Sequence, residues 1–572
     1  MAKKTSKPVL KPAEKTTAAP QKTAHPPART PAAFEWPLWV ACAAAFLLFI
    51  TGVSHPLLAV DDHAATVNNE AVKNFPVLFH INLGMYAPVT WFVYGLAYKI
   101  QGGAVAGEKA LWYHLFSVLL HTGSTALLYR ILRMSQLPVW GSFIVALLFA
   151  IHPVQVESVS WVAGMSTPLY GFFMLGALFF YLRYASEQSP KWYVLSLSLF
   201  VVACLAKSAA VVLPLLLVLW DQWLRPEQPL RRRIMVYLPY FALALAFGLL
   251  TVYTRTRTDT LLGAPVVYTS AERLLILFYT PLFYLSKLLL PLKLNIYYSF
   301  DKVNGHLPII YLLSPLFVGI IAFFVWKTRR SMPLFGIGAG IFLANHIVSL
   351  PYAPLGSFEM CADHYNYIAC VGFFLMLYAL AERLAALRPA ARQGVRIALL
   401  AFAACMAGLS LRQIGYWKNT LFLMNNAIEN GYYSNGKMYY WRGMEYGNRA
   451  QSGDQERALA DFNKALEMDS TLYDAYKYRG AFLGMKGQYR ESVTDLTKYL
   501  RLHPNDPEYR FNRAVSYLRL IEPKAAIEDL NVTIQYAPQF YQAYRSRSNA
   551  YRMIGDAARA DADMAEFERR KR

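Results

Sequence analysis

The chain has 572 residues, of which 56% are hydrophobic and only 16% are charged, and its long apolar runs alternate with short basic or aromatic loops. This composition is typical of a polytopic membrane protein. The net charge of +21 comes largely from a basic N-terminal tail and short basic loops such as 231–233 and 327–330, a distribution that indicates cytoplasmic loops and excludes a nucleic-acid partner.

The N-terminal region predicts a cytoplasmic tail followed by a membrane anchor. Residues 1–33 are rich in Lys, Pro, Ala and Thr, so they lack the apolar content of a folded core and are expected to be disordered. The apolar run 36–60 is long enough to cross a bilayer core of about 30 Å. Because basic residues precede it, we expect a signal anchor that delivers Asp61 and Asp62 to the outer face.

Residues 34–412 are predicted to form an all-α transmembrane domain of about eleven spans, with a large outer loop at 61–108 that contains interfacial helices. Segment 272–290 is interpreted as interfacial or re-entrant, because the basic loop that follows segment 308–326 must remain inside. An odd number of spans places the C-terminus outside. A connecting helix is predicted over 413–434.

Residues 435–572 carry an internal repeat. An aspartate returns every 34 residues, at Asp461, Asp495, Asp529 and Asp563, and a small residue returns with the same period, at Gly480, Ala514 and Ser548. A period of 34 is typical of tetratricopeptide repeats, which stack helix pairs into a superhelix. The sequence therefore predicts an extracytoplasmic repeat array that binds an extended peptide, with a stabilising appendage without a ligand as the alternative.

Ionisable and polar residues gather at the predicted outer ends of the spans, where such groups are costly and usually mark a site. In chain order these candidates are Asp61, Asp62, Asn68, His80, His152, Glu157, Lys207, His364, Tyr365 and Tyr367. A carboxylate pair can supply a general base and a second group that tunes its pKa. A lysine between two short spans suits a phosphate headgroup. Together these residues suit an enzyme that transfers a group from a lipid-phosphate donor to a hydroxyl outside the cytoplasm.

Simpler roles stay open for individual members of this set. Asp61 and Asp62 could cap a helix, His152 could end a helix before a proline, and Lys207 could extend to the interface without a ligand. His and Cys do not cluster at ligand spacing, so no motif dictates a cofactor, although Asp61 and Asp62 could hold Mg²⁺ or Mn²⁺ weakly.

Five segments in order carry a resemblance to a known family. They are DDHAATVNN at 61–69, YAPVTW at 86–91, HPVQVESVSW at 152–161, LAKSAAVVLP at 205–214 and YNYI at 365–368. Together with the repeats, they resemble the transmembrane and tetratricopeptide-repeat protein O-mannosyltransferases of the GT-C glycosyltransferase superfamily. Four residues depart from the family's usual pattern, namely Ala87, Ser208 and the pair Asp363–His364, and these departures concern donor recognition.

The resemblance implies an inverting transfer of a sugar from a polyprenyl-phosphate donor to Ser or Thr of an extracytoplasmic protein. It implies a general base at Asp61 or Asp62, with Asp61 preferred, and a donor-phosphate contact at Lys207. His152 and Glu157 match further motif positions. The repeats would hold the acceptor protein and raise its local concentration.

Two other functions are considered. The protein could be a membrane scaffold that recruits envelope or secretion partners through its repeats, or a GT-C enzyme whose acceptor is a glycan or a lipid. A transporter is disfavoured, because the charged groups gather at one face and not at the midplane. The tail composition and the lack of outer cysteines favour a bacterial inner membrane with the N-terminus cytoplasmic and the repeats periplasmic.

Overall fold

The computed structural model describes residues 35–74, 81–82, 85–103, 109–225, 230–257, 268–298, 300, 302, 305–347, 361–431 and 436–571. Helices dominate these residues. The exceptions include an antiparallel ribbon of β1 (Ile81–Asn82) and β2 (Met85–Tyr86). The segment Pro37–Arg572 forms one compact unit that contains both the apolar helices and the repeats. The expected all-α class is confirmed.

Helices α1 to α16 precede the repeats in the described part of the chain. In order they are α1 (Trp36–Phe49), α2 (Asp62–Ala65), α3 (Glu70–Lys73), α4 (Pro88–Ile100), α5 (Leu111–Met134), α6 (Val139–Ile151), α7 (Val156–Ser160), α8 (Ser166–Glu187), α9 (Pro190–Ala206), α10 (Leu213–Leu224), α11 (Leu230–Arg257), α12 (Ser270–Leu289), α13 (Ile309–Thr328), α14 (Pro333–His346), α15 (Asn366–Leu387) and α16 (Arg392–Tyr416).

Within the described residues, six helices are long and apolar enough to cross a membrane. A seventh is added if Val139–Ile151 and Pro153–Ser160, which are bent by 50° at His152, count as one span. Shorter apolar helices run over Trp36–Gly52, Pro190–Ala206 and Ser208–Leu224. The chain is therefore an integral membrane protein, whereas the count of eleven spans and the orientation stay predictions.

The apolar helices divide into interior and lipid-facing members. On α11 and α13, side chains such as Leu245, Leu249 and Phe323 are exposed, as expected of helices that face lipid. The interior pair α14 and α15 packs closely because small residues meet, and a Cβ added at Gly372 would lie 2.3 Å from the carbonyl oxygen of Gly338.

The C-terminal region consists of paired helices, as the 34-residue period predicts. The four pairs follow α17 (Thr420–Glu429) and are α18 (Lys437–Arg449) with α19 (Asp454–Met468), α20 (Tyr473–Met485) with α21 (Tyr489–Leu500), α22 (Pro507–Arg519) with α23 (Pro523–Tyr536), and α24 (Tyr541–Met553) with α25 (Ala557–Lys571). The predicted connecting segment 413–434 contains the end of α16 and the separate helix α17. Asn419 caps α17, because its side chain accepts a hydrogen bond from the Phe422 N–H.

Each of the four repeating aspartates forms an ion pair with an arginine, and these pairs recur along the array as a ladder. Arg479 of α20 donates to both carboxylate oxygens of Asp495, at 2.6 and 2.9 Å, and its third contact is with Asn463 of the preceding helix, at 2.9 Å. The same two-pronged pair recurs as Arg442–Asp461, Arg513–Asp529 and Arg547–Asp563. Each arginine thus joins the two helices of one repeat through its aspartate and also contacts the helix that precedes them.

Candidate active site

Asp62 joins the segment that follows α1 to the segment that precedes α8. One of its oxygens accepts the Leu58 N–H and the other accepts the Ala163 N–H, both at 2.8 Å, and the side chain is fully buried. Burial raises the pKa of Asp62 to about 8 although the two amide hydrogen bonds oppose the rise, and the nearby Asp61 carboxylate adds to it. Asp62 is therefore committed to structure, which favours its neighbour as the reactive carboxylate.

Asp61 is the more accessible member of the pair. Its backbone has φ of 59°, a left-handed conformation that most residues avoid and Asp tolerates. Burial raises the pKa of Asp61, whereas a hydrogen bond from the Tyr297 hydroxyl, at 3.5 Å, and the positive charge of Lys437 lower it. A carboxylate whose pKa is raised is a stronger base and is better suited to accept a proton.

A second acidic group, Glu157, lies with His364. Its Oε1 is 2.6 Å from Nδ1 of His364, and its Oε2 accepts the backbone N–H of His364 at 3.1 Å. Lys207 interacts electrostatically with both residues. The rings of His364 and Tyr365 are 4.4 Å apart between centroids. The structure thus brings four of the predicted residues together.

A third acidic group, Asp363, completes this region. The Tyr298 hydroxyl lies 2.9 and 3.0 Å from its two oxygens. The Nζ atom of Lys287 is 4.8 Å from the centre of the Tyr298 ring and attracts the carboxylate. The sequence analysis did not select Lys287, Tyr297 or Tyr298. One available signal was Lys287, a cation inside the otherwise apolar last turns of α12.

Lys207 lies where α9 ends and donates a hydrogen bond to the Thr167 hydroxyl at 2.8 Å. It also lines a small cavity between α9 and the lipid-facing helix α11. The other lining residues are Met85, Tyr86, Ala87, Cys204, Ser208, Phe247, Leu250, Thr251 and Thr254. An ammonium group that lines a partly apolar cavity beside a lipid-facing helix suits the phosphate of a lipid.

Two predicted residues lie in the interior of the bundle instead. His152 is fully buried, with Nε2 3.0 Å from the Leu288 carbonyl oxygen and Nδ1 accepting the Val154 N–H at 3.3 Å. The Tyr367 hydroxyl is 3.0 Å from Nδ1 of His121. Both side chains join helices, and the contacts of His152 are those of the helix-ending role that the sequence left open.

The last two predicted residues lie outside this cluster or outside the described chain. Asn68 is exposed, and its N–H donates to the His63 carbonyl at 2.8 Å. His80 falls outside the described residues.

The acidic pair offers little to a metal ion. Both oxygens of Asp62 already accept amide hydrogens, so Asp61 is the less committed carboxylate. Across the described ranges, no three His, Cys, Asp or Glu side chains come together as a metal-binding group. A Mg²⁺ or Mn²⁺ ion at this pair stays a prediction.

Comparisons with known proteins agree with the sequence motifs. The chain is 27% identical over 293 residues to protein O-mannosyl-transferase Tmtc2 of Drosophila melanogaster, a match that covers 46% of this chain and 30% of the relative. Over this part of its length, the chain is therefore similar to a protein O-mannosyl-transferase. A FAM10 family protein of Arabidopsis thaliana is 34% identical over 79 residues, which cover 14% of this chain and 18% of the relative.

These matches are partial. The chain spans less than a third of the length of these relatives, and no model of a known protein family matches it. Among solved structures, the archaeal oligosaccharyltransferase AglB of Archaeoglobus fulgidus, in complex with an inhibitory peptide and a dolichol-phosphate, is similar over 75% of this chain and 59% of its own, with 13% identity and a TM-score of 0.36. Because the TM-score is so low, nothing about the activity of this chain is inferred from that similarity.

Proposed function

We propose that the protein is a GT-C glycosyltransferase that moves a sugar from a polyprenyl-phosphate donor to Ser or Thr hydroxyls of extracytoplasmic proteins. One observation carries the proposal. Asp61, Glu157 and Lys207 come from three distant segments, yet Tyr297 interacts electrostatically with both acids and Glu157 interacts with Lys207. A base and a cation in one cluster are the groups that such a transfer requires.

Asp61 is the proposed general base. It accepts the proton of the acceptor hydroxyl while that oxygen forms a bond to the anomeric carbon. The bond from this carbon to the phosphate oxygen breaks on the opposite face, and the sugar is transferred with inversion. The electron pair leaves with the lipid phosphate, whose negative charge Lys207 offsets.

The donor is proposed to enter from the membrane beside α11. Its phosphate would lie at Lys207, and its chain would pass along the lipid-facing side of α11, beside Phe247 and Leu250. An ammonium group is a compact charge that can contact a phosphate without demanding a planar partner. Ser208 and Ala87 line the same cavity, which agrees with the idea that the departures from the family pattern concern the donor.

The repeats are proposed to hold the acceptor protein. This role follows the protein-binding use of tetratricopeptide arrays, and tethering raises the acceptor concentration at the site. We propose a bacterial inner membrane as the location, with the N-terminus cytoplasmic and the repeats periplasmic.

Intact-mass spectrometry of exported proteins tests the proposal. Cells carry the wild type, Asp61→Asn, or Glu70→Gln as a matched control, because Glu70 is an exposed carboxylate in the same outer loop, in α3. We expect sugar-sized mass on Ser or Thr to vanish only with Asp61→Asn, while all three proteins accumulate equally in the membrane.

Two results would contradict this function in different ways. If every glycoform survives Asp61→Asn, the protein is not this transferase, and the scaffold alternative gains support. If exported proteins are unmodified in the wild type but a sugar is lost from lipid extracts or envelope glycan in Asp61→Asn, the acceptor is a lipid or a glycan.

A further inference from the structure

The segment around Tyr297 lies between the acidic pair and the first repeat. On one side, the Tyr297 hydroxyl contacts Asp61 at 3.5 Å. On the other, its ring packs against Trp441 of α18, with 5.7 Å between centroids and an interplanar angle of 32°. A single aromatic ring thus separates a repeat helix from the proposed base.

Helix α18, the first helix of the repeats, packs against the membrane helices. Met438 of α18 is 2% exposed and belongs to the same apolar cluster as the membrane helices, and Trp441 packs on that cluster. Asn426 of α17 donates to the Leu294 carbonyl at 3.2 Å. The Ala59 N–H donates to the Thr420 hydroxyl at 3.0 Å. The two helices therefore contact the chain within a few residues of both Asp61 and Tyr297.

Lys437 adds a positive charge where α18 meets the segment around Tyr297. It is the first residue of α18, half-buried, and its positive charge acts on Asp61. The charged and titratable groups that act on this carboxylate or on Tyr297 are Lys437, Asp62, Glu157 and Tyr365. In this set, Lys437 is the cation that acts directly on Asp61.

We propose that α18 forms one wall of the catalytic site, with Tyr297 as the residue that positions Asp61 and Lys437, at the start of α18, as the cation of this wall. This inference rests on the proposed function, because it assigns these residues to the same proton transfer. The first repeat would then belong to the catalytic unit, and an acceptor bound along the array would be delivered directly to Asp61.

The proposal has a pH signature that a purely structural role lacks. The Tyr297 hydrogen bond and the Lys437 charge both favour the carboxylate form of Asp61. Removing either raises the pKa of Asp61, so the base form appears only at higher pH. We expect the acidic limb of the kcat profile to move up by about 0.5 to 1 pH unit, the equivalent of one hydrogen bond.

The test uses the full-length protein in nanodiscs with polyprenyl-phosphate mannose and a Ser-containing peptide. Profiles of kcat against pH are recorded for Tyr297→Phe, Lys437→Met and Lys437→Arg. Lys464→Met serves as the control, because Lys464 is a repeat lysine of α19 paired with Glu467. We expect upward shifts for the first two variants, recovery with Lys437→Arg and no shift for the control. Lower rates with unshifted profiles would overturn the proposal.

A second measurement separates this inference from the proposed function. The titration of Asp61 is followed without turnover, as the pH-dependent carboxylate infrared band that is absent from Asp61→Asn. Shifts of this band in Tyr297→Phe and Lys437→Met support the positioning role even if no sugar is transferred, a result that would contradict only the proposed function. An unshifted band in both variants would overturn the positioning role whatever the transfer rate.

Discussion

Buried aspartates occur in two regions of the molecule, and their hydrogen-bond partners differ between the two regions. In the repeat array, Asp461, Asp495, Asp529 and Asp563 are each held by both prongs of an arginine. At the proposed site, Asp62 is held by two backbone amides and Asp61 by a long hydrogen bond from a tyrosine. Among the described residues, neither Asp61 nor Asp62 pairs with an arginine.

The difference in hydrogen-bond partners distinguishes the structural aspartates of the repeats from Asp61, the proposed base. A carboxylate paired with arginine stays ionised over the whole working pH range and cannot exchange protons usefully. A carboxylate that is buried with neutral donors has a raised pKa and can accept a proton near neutral pH. The two kinds of aspartate should therefore respond oppositely to mutation.

The largest effect is expected at Asp61. Asp61→Asn removes the proton acceptor and should lower kcat by about 10² to 10⁴, the usual contribution of a general base. Measured on purified protein, the melting temperature should barely change, because Asp61 makes only one long side-chain hydrogen bond in the described structure. Glu70→Gln should leave both quantities unchanged, and an equal loss in that control would contradict the assignment.

The next effect is expected at Lys207. Lys207→Met removes the proposed phosphate contact, so the KM for the lipid-linked donor should rise by about 10 to 100-fold, the worth of a hydrogen bond to a charged group. Lys207→Arg should restore part of the loss. The control is Lys191→Met, an exposed lysine near the opposite end of α9. A change in the KM for the acceptor alone would refute the donor assignment.

In the array, the effect should fall on stability. Asp495→Ala leaves Arg479 half-buried without its partner, and we expect a loss of about 1 to 3 kcal/mol in the unfolding free energy, reduced by partial exposure of the arginine. Transfer to a short peptide at low temperature should persist. The paired replacement Arg479→Met with Asp495→Leu should recover stability.

The exposed Asp474 provides the matched control for this experiment. It pairs with Lys477 at the surface, so Asp474→Ala should change the unfolding free energy by less than about 0.5 kcal/mol. Equal losses for Asp474→Ala and Asp495→Ala, followed by chemical denaturation, would show that the ladder does not stabilise the repeats.

At about pH 4, where Asp62 is protonated in the folded protein, the smallest effect is expected at Asp62. Asp62→Asn replaces one acceptor oxygen with a donor that faces an amide N–H, which should cost about 1 kcal/mol. Because the folded state raises the pKa of Asp62 to about 8 from 3.8, the folded protein binds a proton that the unfolded chain releases between these values. The wild type should therefore lose stability relative to Asp62→Asn as pH rises from about 4 to about 8.

Melting temperatures of both proteins across this pH window provide the measurement. A constant difference between them would show that Asp62 does not change its protonation in that window. Asp61→Asn offers a second comparison, since removing the neighbouring charge should lower the pKa of Asp62 and weaken the pH dependence.

The repeats could be predicted in detail because their contacts are local and recur. Arg479 and Asp495 are 16 residues apart, as are Arg513 and Asp529, so the pattern is visible in one sequence. Helical membrane segments were predictable for a similar reason, since an apolar run has few alternatives to a helix in lipid. The number of spans depends on short apolar segments, where length alone does not decide.

The candidate site was only partly predictable. Asp61 and Glu157 stand out because charges at a membrane face are costly. Their partners do not, since Tyr297 is 236 residues from Asp61 and His364 is 207 residues from Glu157. His152 was instead selected as a site residue although it lies in the interior of the bundle. The sequence could not prevent this, because a histidine before a proline has the same pattern whether it ends a helix or lines a site.

One paired measurement tests the central claim most directly. Asp61→Asn and Asp495→Ala are purified in nanodiscs, and each is measured for sugar transfer to a peptide and for melting temperature. We expect Asp61→Asn to lose transfer at an unchanged melting temperature, and Asp495→Ala to melt earlier with transfer retained. Transfer that persists in Asp61→Asn, or that falls only as far as its melting temperature does, would contradict the claim that Asp61 is the base.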